Sequence, residues 1–152
     1  MRSPQENSSE ITVREFCVDD YDTVIALWKD AQLAHRPKGR DRLDRVEREL
    51  ESGNAVYLVA EVDGKLAGSV LGTHDGRKGW VNRLAVLPEF QRRGVARRLV
   101  NEVENRLSKV GIEIVACLIE NWNTTSMEVF ERLGYKRESD VVYFTKRGNS
   151  DV

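Results

Sequence analysis

The stretch 80–110 constrains the fold more than any other part of the chain, because it joins a strand, a loop and a long helix. The apolar run before Pro88 predicts a strand, which ends there because proline cannot donate to a sheet ladder and biases Leu87 toward an extended conformation. A polar loop follows, and Gly94 opens an amphipathic helix. The apolar positions of that helix recur every three or four residues: Val95, Leu99, Val103, Leu107 and Val110. The segment 91–96 therefore lies at a strand-to-helix junction.

This junction has the properties of an anion-binding site. The first turn of a helix carries backbone N–H groups without intrahelical partners, and the helix dipole favours negative charge there. Gly94 allows close approach to the backbone, and Arg92, Arg93 and Arg97 add positive charge. The pattern indicates a phosphate or pyrophosphate ligand; the alternative is an ordinary helix start with solvated arginines. The three spaced glycines of a dinucleotide-binding turn are missing.

A second motif lies in residues 123–135. It places Asn123, Ser126, Phe130, Gly134 and Tyr135 in an order that resembles the Asn-x-x-Ala-x-x-x-Tyr-x-x-x-Gly-Phe segment of the GCN5-related N-acetyltransferases (GNAT family). The first stretch resembles the acetyl-CoA signature of the same family, an aliphatic triplet on a strand, a proline and Gln/Arg-x-x-Gly-x-Gly/Ala opening a helix. The resemblance extends over about residues 11–146 and points, within the family, to the subgroup that includes ribosomal-protein N-terminal acetyltransferases.

Length and composition limit the alternatives. The chain has 152 residues, enough for one domain, and a net charge of −1, which argues against general nucleic-acid binding. No apolar stretch approaches a membrane span, and two cysteines with two histidines do not form a metal-site pattern. We expect a cytoplasmic protein without a metal, with a mobile tail over 1–9, an N-acetyltransferase domain over 10–146 and a frayed tail over 147–152.

The remaining elements follow from local patterns. Asp63-Gly64 between two apolar runs predicts a β-hairpin, and the apolar run 112–119 predicts a strand buried on both faces. The order matches the fold that the resemblance implies, a single-domain α/β (α+β) structure whose mixed central sheet has about six or seven strands and helices on both faces. The other predicted elements are strands at 10–16, 55–62, 65–74, 135–136 and 141–145, and helices after Asp19 or Asp20, at 41–50 and at 124–133.

The resemblance also implies a cofactor site, with acetyl-CoA as the acetyl donor. The fourth and fifth strands would splay apart, and the pantetheine arm would enter between them. The backbone of 84–86 would pair with the pantetheine amides, and the N–H groups of 91–96 would hold the pyrophosphate. For Asn123, helix N-capping is the first interpretation and cofactor contact the second. The implied cofactor-binding residues are Leu84, Ala85, Val86, Gln91, Arg92, Arg93, Gly94, Val95, Ala96, Arg97, Asn123, Ser126 and Phe130.

Three departures from the family pattern affect the catalytic assignment. Phe130 stands where many members have the tyrosine that protonates the leaving thiolate, and Asn82 stands where many have a glutamate. Leu118 occupies the position of a glutamate base in the ribosomal-protein subgroup. General acid–base groups contribute about 10²–10⁴-fold, whereas alignment of the reactants contributes roughly 7–11 kcal/mol, so a site that relies on positioning can still turn over.

The candidate catalytic residues are Glu120 as a proton acceptor and Tyr135 as an acid. Glu120 lies two residues beyond Leu118 and faces the same side of the sheet if the strand continues. The simpler interpretations are a solvated carboxylate for Glu120 and a core aromatic for Tyr135. Tyr143 is a third, weaker candidate.

The acceptor is left open. The cation-rich segment 35–42 is suited to an acceptor with a carboxylate or phosphate, or it is a solvated loop balanced by the acids that follow. A peptide N-terminus, a lysine side chain and a small amine all fit. The sequence thus predicts an N-acetyltransferase acting on a primary amine; the alternative is a catalytically weak acetyl-CoA or CoA sensor of the same fold. A homodimer is compatible with either function.

Overall fold

The computed structural model describes residues 10–152; the expected tail over 1–9 lies outside the described residues. Single turns of 3₁₀ helix at Val18–Asp20 and Pro88–Phe90 precede α1 and α3, respectively. The elements are β1 (Ile11–Glu15), α1 (Tyr21–Asp30), α2 (Leu43–Glu51), β2 (Ala55–Val62), β3 (Lys65–His74), β4 (Gly79–Val86), α3 (Val95–Lys109), β5 (Val115–Ala116) and α4 (Thr124–Arg132).

The strands form one mixed sheet in the order β1-β2-β3-β4-β5. The first three pairs are antiparallel, and β5 runs parallel to β4. Within residues 10–152 the sheet has five strands rather than six or seven. The strands predicted at 135–136 and 141–145 do not form, because no neighbouring strand supplies hydrogen bonds to those residues.

The hairpin between β2 and β3 confirms the Asp-Gly prediction. Asp63 and Gly64 have φ values of 51° and 77°, and Val62 pairs with Lys65. Two consecutive residues with positive φ are the mark of a type I′ turn, whose twist matches that of the strands it joins.

Helices cover both faces of the sheet, as predicted. On one face α3 buries Leu99, Val103 and Leu107 against β2, β3 and β4. Gly72 of β3 lies directly under Val103, where a Cβ atom would collide with the valine side chain. On the other face α1 and α2 bury a second cluster that includes Trp28.

The expectation that 112–119 is buried on both faces is wrong. Only Val115 and Ala116 pair with β4, and the side chains of Ile114 and Leu118 are both 55% exposed. β5 is the edge strand of the described sheet, and the exposed Ile114 and Leu118 lie outside its two paired residues.

Candidate active site

The site begins where β4 and β5 separate. The two strands pair only through Gly79 with Val115 and Trp80 with Ala116, while β4 continues alone to Val86. The splay between the fourth and fifth strands is therefore present, and it leaves one edge of β4 open over 81–86.

A β-bulge in β4 shapes this open edge. Leu71 pairs with Asn82 and Ser69 with Ala85, so β4 contains one more residue than β3 between these pairs. Within the bulge Arg83 has a φ of 55°, a conformation rarely adopted by a residue with a long side chain. Such bulges bend a strand and redirect its side chains, and here the bulge lies beside the gap.

The loop before α3 presents a row of free backbone donors. Gly94 is the N-cap of α3 in the left-handed conformation, with a φ of 86°. Among the residues that the structure describes, no acceptor pairs with the backbone N–H groups of 92–97. Free N–H groups and a helix dipole of this kind suit an anion.

Arg92 and residues 94–97 of this loop line one of two cavities, which we call the loop cavity. Asn123 and Phe130 of the α4 region also line it, opposite Leu84 and Val86 of β4. Arg93 does not line it; its guanidinium lies 5.5 Å from the centre of the Phe90 ring. The predicted cofactor-binding residues that do line it are Leu84, Ala85, Val86, Gln91, Arg92, Gly94, Val95, Ala96, Arg97, Asn123, Ser126 and Phe130.

The start of α4 also lines the loop cavity. The Asn123 Oδ1 atom accepts a hydrogen bond from the Ser126 backbone N–H at 3.1 Å, so the helix-capping interpretation is confirmed. Phe130 is buried and meets Tyr135 edge-on, with ring centres 5.0 Å apart. The phenyl ring therefore has a packing role at the position where many family members have a tyrosine.

The second cavity, which we call the arginine cavity, lies beyond Leu84 and shares Leu84, Asn123, Ser126 and Phe130 with the loop cavity. The two cavities are thus parts of one cleft. Six arginines line the arginine cavity, against three acidic side chains: Arg40, Arg42, Arg45, Arg48, Arg83 and Arg147, with Asp41, Glu49 and Glu120.

A buried ion pair forms one wall of the arginine cavity. The Arg83 Nη2 atom donates to the Asp41 Oδ2 atom at 2.8 Å, and the two side chains are only 14% and 8% exposed. The guanidinium also donates to the Ala34 carbonyl and lies over the Trp28 ring. Asp41 in turn accepts the Arg36 backbone N–H. Both charges are therefore satisfied within the protein.

Glu49 is the residue that sequence reasoning missed. It lies on α2, is partly buried and lines the arginine cavity. Burial raises the pKa of its carboxyl group, and the nearby Asp41 carboxylate raises it further, while Arg83 opposes the shift. Its place between the apolar positions Val46 and Leu50 was the available signal, because a carboxylate on the inward side of a helix is unusual.

The predicted catalytic residues occupy different environments. Glu120 lines the arginine cavity and is exposed, as is Tyr143. Tyr135 lines neither cavity, and its buried hydroxyl has no hydrogen-bond partner among residues 10–152. Burial raises the pKa of this phenol, with Glu104 and Cys117 as smaller causes. The geometry thus brings Glu120 to the cleft and leaves Tyr135 in the core.

The three departures from the family pattern all face the cleft. Asn82, Leu118 and Phe130 line the arginine cavity, so none of these positions supplies a carboxylate or an acidic hydroxyl there.

No helix within residues 10–152 is long and apolar enough to cross a bilayer. In the same range, His, Cys, Asp and Glu side chains do not gather in threes where they could hold a metal ion.

Solved structures share this fold. One is AAC(6')-Iy in complex with the bisubstrate analogue CoA-S-monomethyl-acetylneamine, at 24% identity and a TM-score of 0.76, covering 91% of this chain and 99% of that one. Another is glucosamine-6-phosphate N-acetyltransferase from Arabidopsis thaliana, at 18% identity and a TM-score of 0.72, covering 92% and 99%. A third is the PaiA N-acetyltransferase from Thermoplasma acidophilum in complex with coenzyme A, at 18% identity and a TM-score of 0.74, covering 85% and 91%.

The model of the acetyltransferase (GNAT) family matches residues 21–135, which include the gap, the loop and α4. This range covers most of the chain and contains both motifs on which the resemblance rested. The protein belongs to the acetyltransferase (GNAT) family of acetyl-CoA-dependent N-acetyltransferases.

Proposed function

We propose that the protein transfers the acetyl group of acetyl-CoA directly to a primary amine within a ternary complex. The observation that carries this proposal is the two-part cleft. One part offers free backbone donors to an anion, and the other offers polar side chains to a second ligand. Both meet at Leu84 and Phe130, so two substrates bound in the two parts would touch there.

The loop cavity would hold the cofactor. The backbone N–H groups of 92–97 suit the pyrophosphate, and Arg92 and Arg97 add positive charge beside it. The pantetheine arm would follow the open edge of β4 over 84–86 into the gap. The Val86 carbonyl accepts the Gln91 side-chain amide at 3.2 Å, and the Leu87 N–H donates to the Ala67 carbonyl of β3.

The arginine cavity would hold the amine and its proton acceptor. We assign that role to Glu49 rather than to the sequence candidate Glu120. A partly buried carboxylate with a raised pKa is better matched to accepting a proton near neutral pH than an exposed one.

The reaction balances without a protein acid. The ammonium loses a proton to Glu49, and the free amine attacks the thioester carbonyl carbon. The C–S bond then breaks and CoA leaves as a thiolate. The attacking nitrogen loses its second proton as the amide forms, and since Phe130 cannot donate a proton, solvent would carry this proton to the thiolate. Most of the rate enhancement would come from alignment of the two substrates, which can contribute roughly 7–11 kcal/mol.

A CoA-binding sensor is the second candidate function. It is favoured by Phe130, Asn82 and Leu118, which place no acidic group at three positions that line the cleft. Such a sensor would bind acetyl-CoA or CoA in the loop cavity without transferring an acetyl group.

Calorimetric titration of acetyl-CoA, followed by thiol release against a panel of amines and N-terminal peptides, tests both candidates. Binding together with thiol release that depends on the amine supports the transferase. Binding without release across the panel favours the sensor. Failure to bind acetyl-CoA contradicts both.

We also propose that the protein forms a homodimer through its C-terminal apolar segment. Residues 141–144 form a run of four large apolar side chains, 67–88% exposed, and Ile114 and Leu118, on either side of β5, are exposed as well. Exposed apolar patches of this kind are typical of interaction surfaces. Sedimentation equilibrium of the protein and of a Val142→Ser/Phe144→Ser variant tests this; equal monomeric masses would contradict it. The cytoplasmic location expected from the sequence stays a prediction.

A further inference from the structure

The arginine cavity carries more positive charge than the protein itself neutralises. Arg83 is paired with Asp41, and Arg42 with Asp44 at 3.0 Å. Arg147 donates to the main-chain oxygen of Val152. No ion pair with a carboxylate of residues 10–152 involves the remaining lining arginines: Arg40, Arg45 and Arg48.

Two of these unpaired cations are neighbours on one helix face. Arg45 and Arg48 are three residues apart on α2, so their side chains lie next to each other and repel. Both line the cavity and both are exposed. A bound anion would remove this repulsion, and a guanidinium fork binds carboxylate or phosphate oxygens in a bidentate manner.

The same helix places a carboxylate beside them. Glu49 lies four residues after Arg45 and next to Arg48, and it lines the same cavity. α2 thus presents a proton acceptor for an ammonium group and, beside it, two donors for an anion.

We propose that the amine acceptor carries a carboxylate or phosphate group, which Arg45 and Arg48 bind in the arginine cavity. The inference rests on the proposed acetyl transfer and narrows its acceptor to anionic amines. It also predicts that polycationic amines, such as neamine, are poor acceptors, because the cavity repels them.

The test measures kcat/KM for amines in charge-matched pairs. Glucosamine 6-phosphate is compared with glucosamine, and each of several α-amino acids is compared with its carboxamide; neamine is the polycationic probe. We expect anionic members to exceed their uncharged partners by about tenfold or more, in line with one charge-assisted hydrogen bond. A preference within the glucosamine pair shows that the cavity binds phosphate, and a preference within the amino-acid pairs shows that it binds carboxylate.

An Arg45→Gln/Arg48→Gln variant ties the preference to α2. We expect its ratio of anionic to uncharged kcat/KM to fall toward one, through a higher KM for the anionic amine, while acetyl-CoA affinity is unchanged. Arg77→Gln is the control, because Arg77 is exposed in the turn before β4 and lines neither cavity.

The outcomes separate this inference from the function on which it rests. Transfer only to uncharged or polycationic amines, or an unchanged ratio in the double variant, overturns the anionic acceptor while acetyl transfer stands. Binding of acetyl-CoA without transfer to any of the amines overturns both the anionic acceptor and the transfer. Failure of the protein to bind acetyl-CoA overturns the proposed function as well.

Discussion

The two parts of the cleft are built in different ways. The loop cavity combines backbone N–H groups, held by one strand-to-helix junction, with polar side chains such as Arg92 and Arg97. The arginine cavity takes its polar character from side chains that belong to distant segments, and its wall is an ion pair between Asp41 and Arg83. Backbone donors bind any phosphate in the same way, whereas a set of side chains can change with the acceptor.

The largest expected effect comes from breaking the wall of the arginine cavity. Asp41→Asn leaves the Arg83 guanidinium buried without its counter-charge, which typically costs about 3–5 kcal/mol. We expect a loss of stability of this size in urea unfolding. Asp44→Asn is the control, since its partner Arg42 is exposed and solvated. Similar, small losses in both variants would show that the buried pair does not support the cavity.

The next effect concerns proton transfer. Glu49→Gln removes the proposed proton acceptor, and we expect kcat to fall by about 10²–10⁴-fold with acetyl-CoA affinity unchanged. In the wild type, kcat/KM should fall as the pH drops through the raised pKa of Glu49. Glu120→Gln is the matched variant, and a larger loss in Glu120→Gln than in Glu49→Gln would return the role to Glu120.

A third variant breaks the loop cavity instead. Gly94→Val places a β-branched residue at a φ of 86° beside the free donors, and we expect acetyl-CoA affinity to fall by about a hundredfold, because at least one charge-assisted hydrogen bond is lost along with the loop conformation. Gly76→Val is a close control. Gly76 has a φ of 85° and open space around it, but it lines neither cavity. Calorimetry that gave the same affinity for both variants would refute the pyrophosphate placement.

The smallest effect is on stability as a function of pH. The raised pKa of Glu49 means that its protonated form favours the folded state. This stabilisation is present below the ordinary glutamate pKa and is lost as the pH rises through the raised value. Glu49→Gln stays neutral, so we expect its Tm to exceed that of the wild type near pH 7 and to match it at low pH. Glu51→Gln, at an exposed position of α2, is the matched control.

The sequence predicted best where structure is local. The Asp63-Gly64 hairpin and the strand, proline and helix around 86–95 follow from neighbouring residues, and all formed as predicted. The β-bulge at Arg83 could not be foreseen, because nothing in an arginine marks a positive φ. The pairing of Arg83 with Asp41 joins residues 42 positions apart, which no local pattern reveals.

In the C-terminal part of the chain, the sequence predicted strands that do not form. Apolar runs at 112–119 and 141–145 have strong strand propensity, yet only Val115 and Ala116 join the sheet. Propensity describes how well a side chain suits a sheet and does not supply a neighbouring strand. Glu120 reaches the cleft although regular strand structure ends at Ala116.

The central claim is that the backbone of 92–97 holds the cofactor pyrophosphate, and amide chemical-shift mapping during titration with acetyl-CoA tests it most directly. We predict that the largest shifts fall on the N–H groups of 92–97, with Gly64 and Gly76 unaffected. Saturable binding that leaves the 92–97 amides unshifted would contradict this account of the cleft.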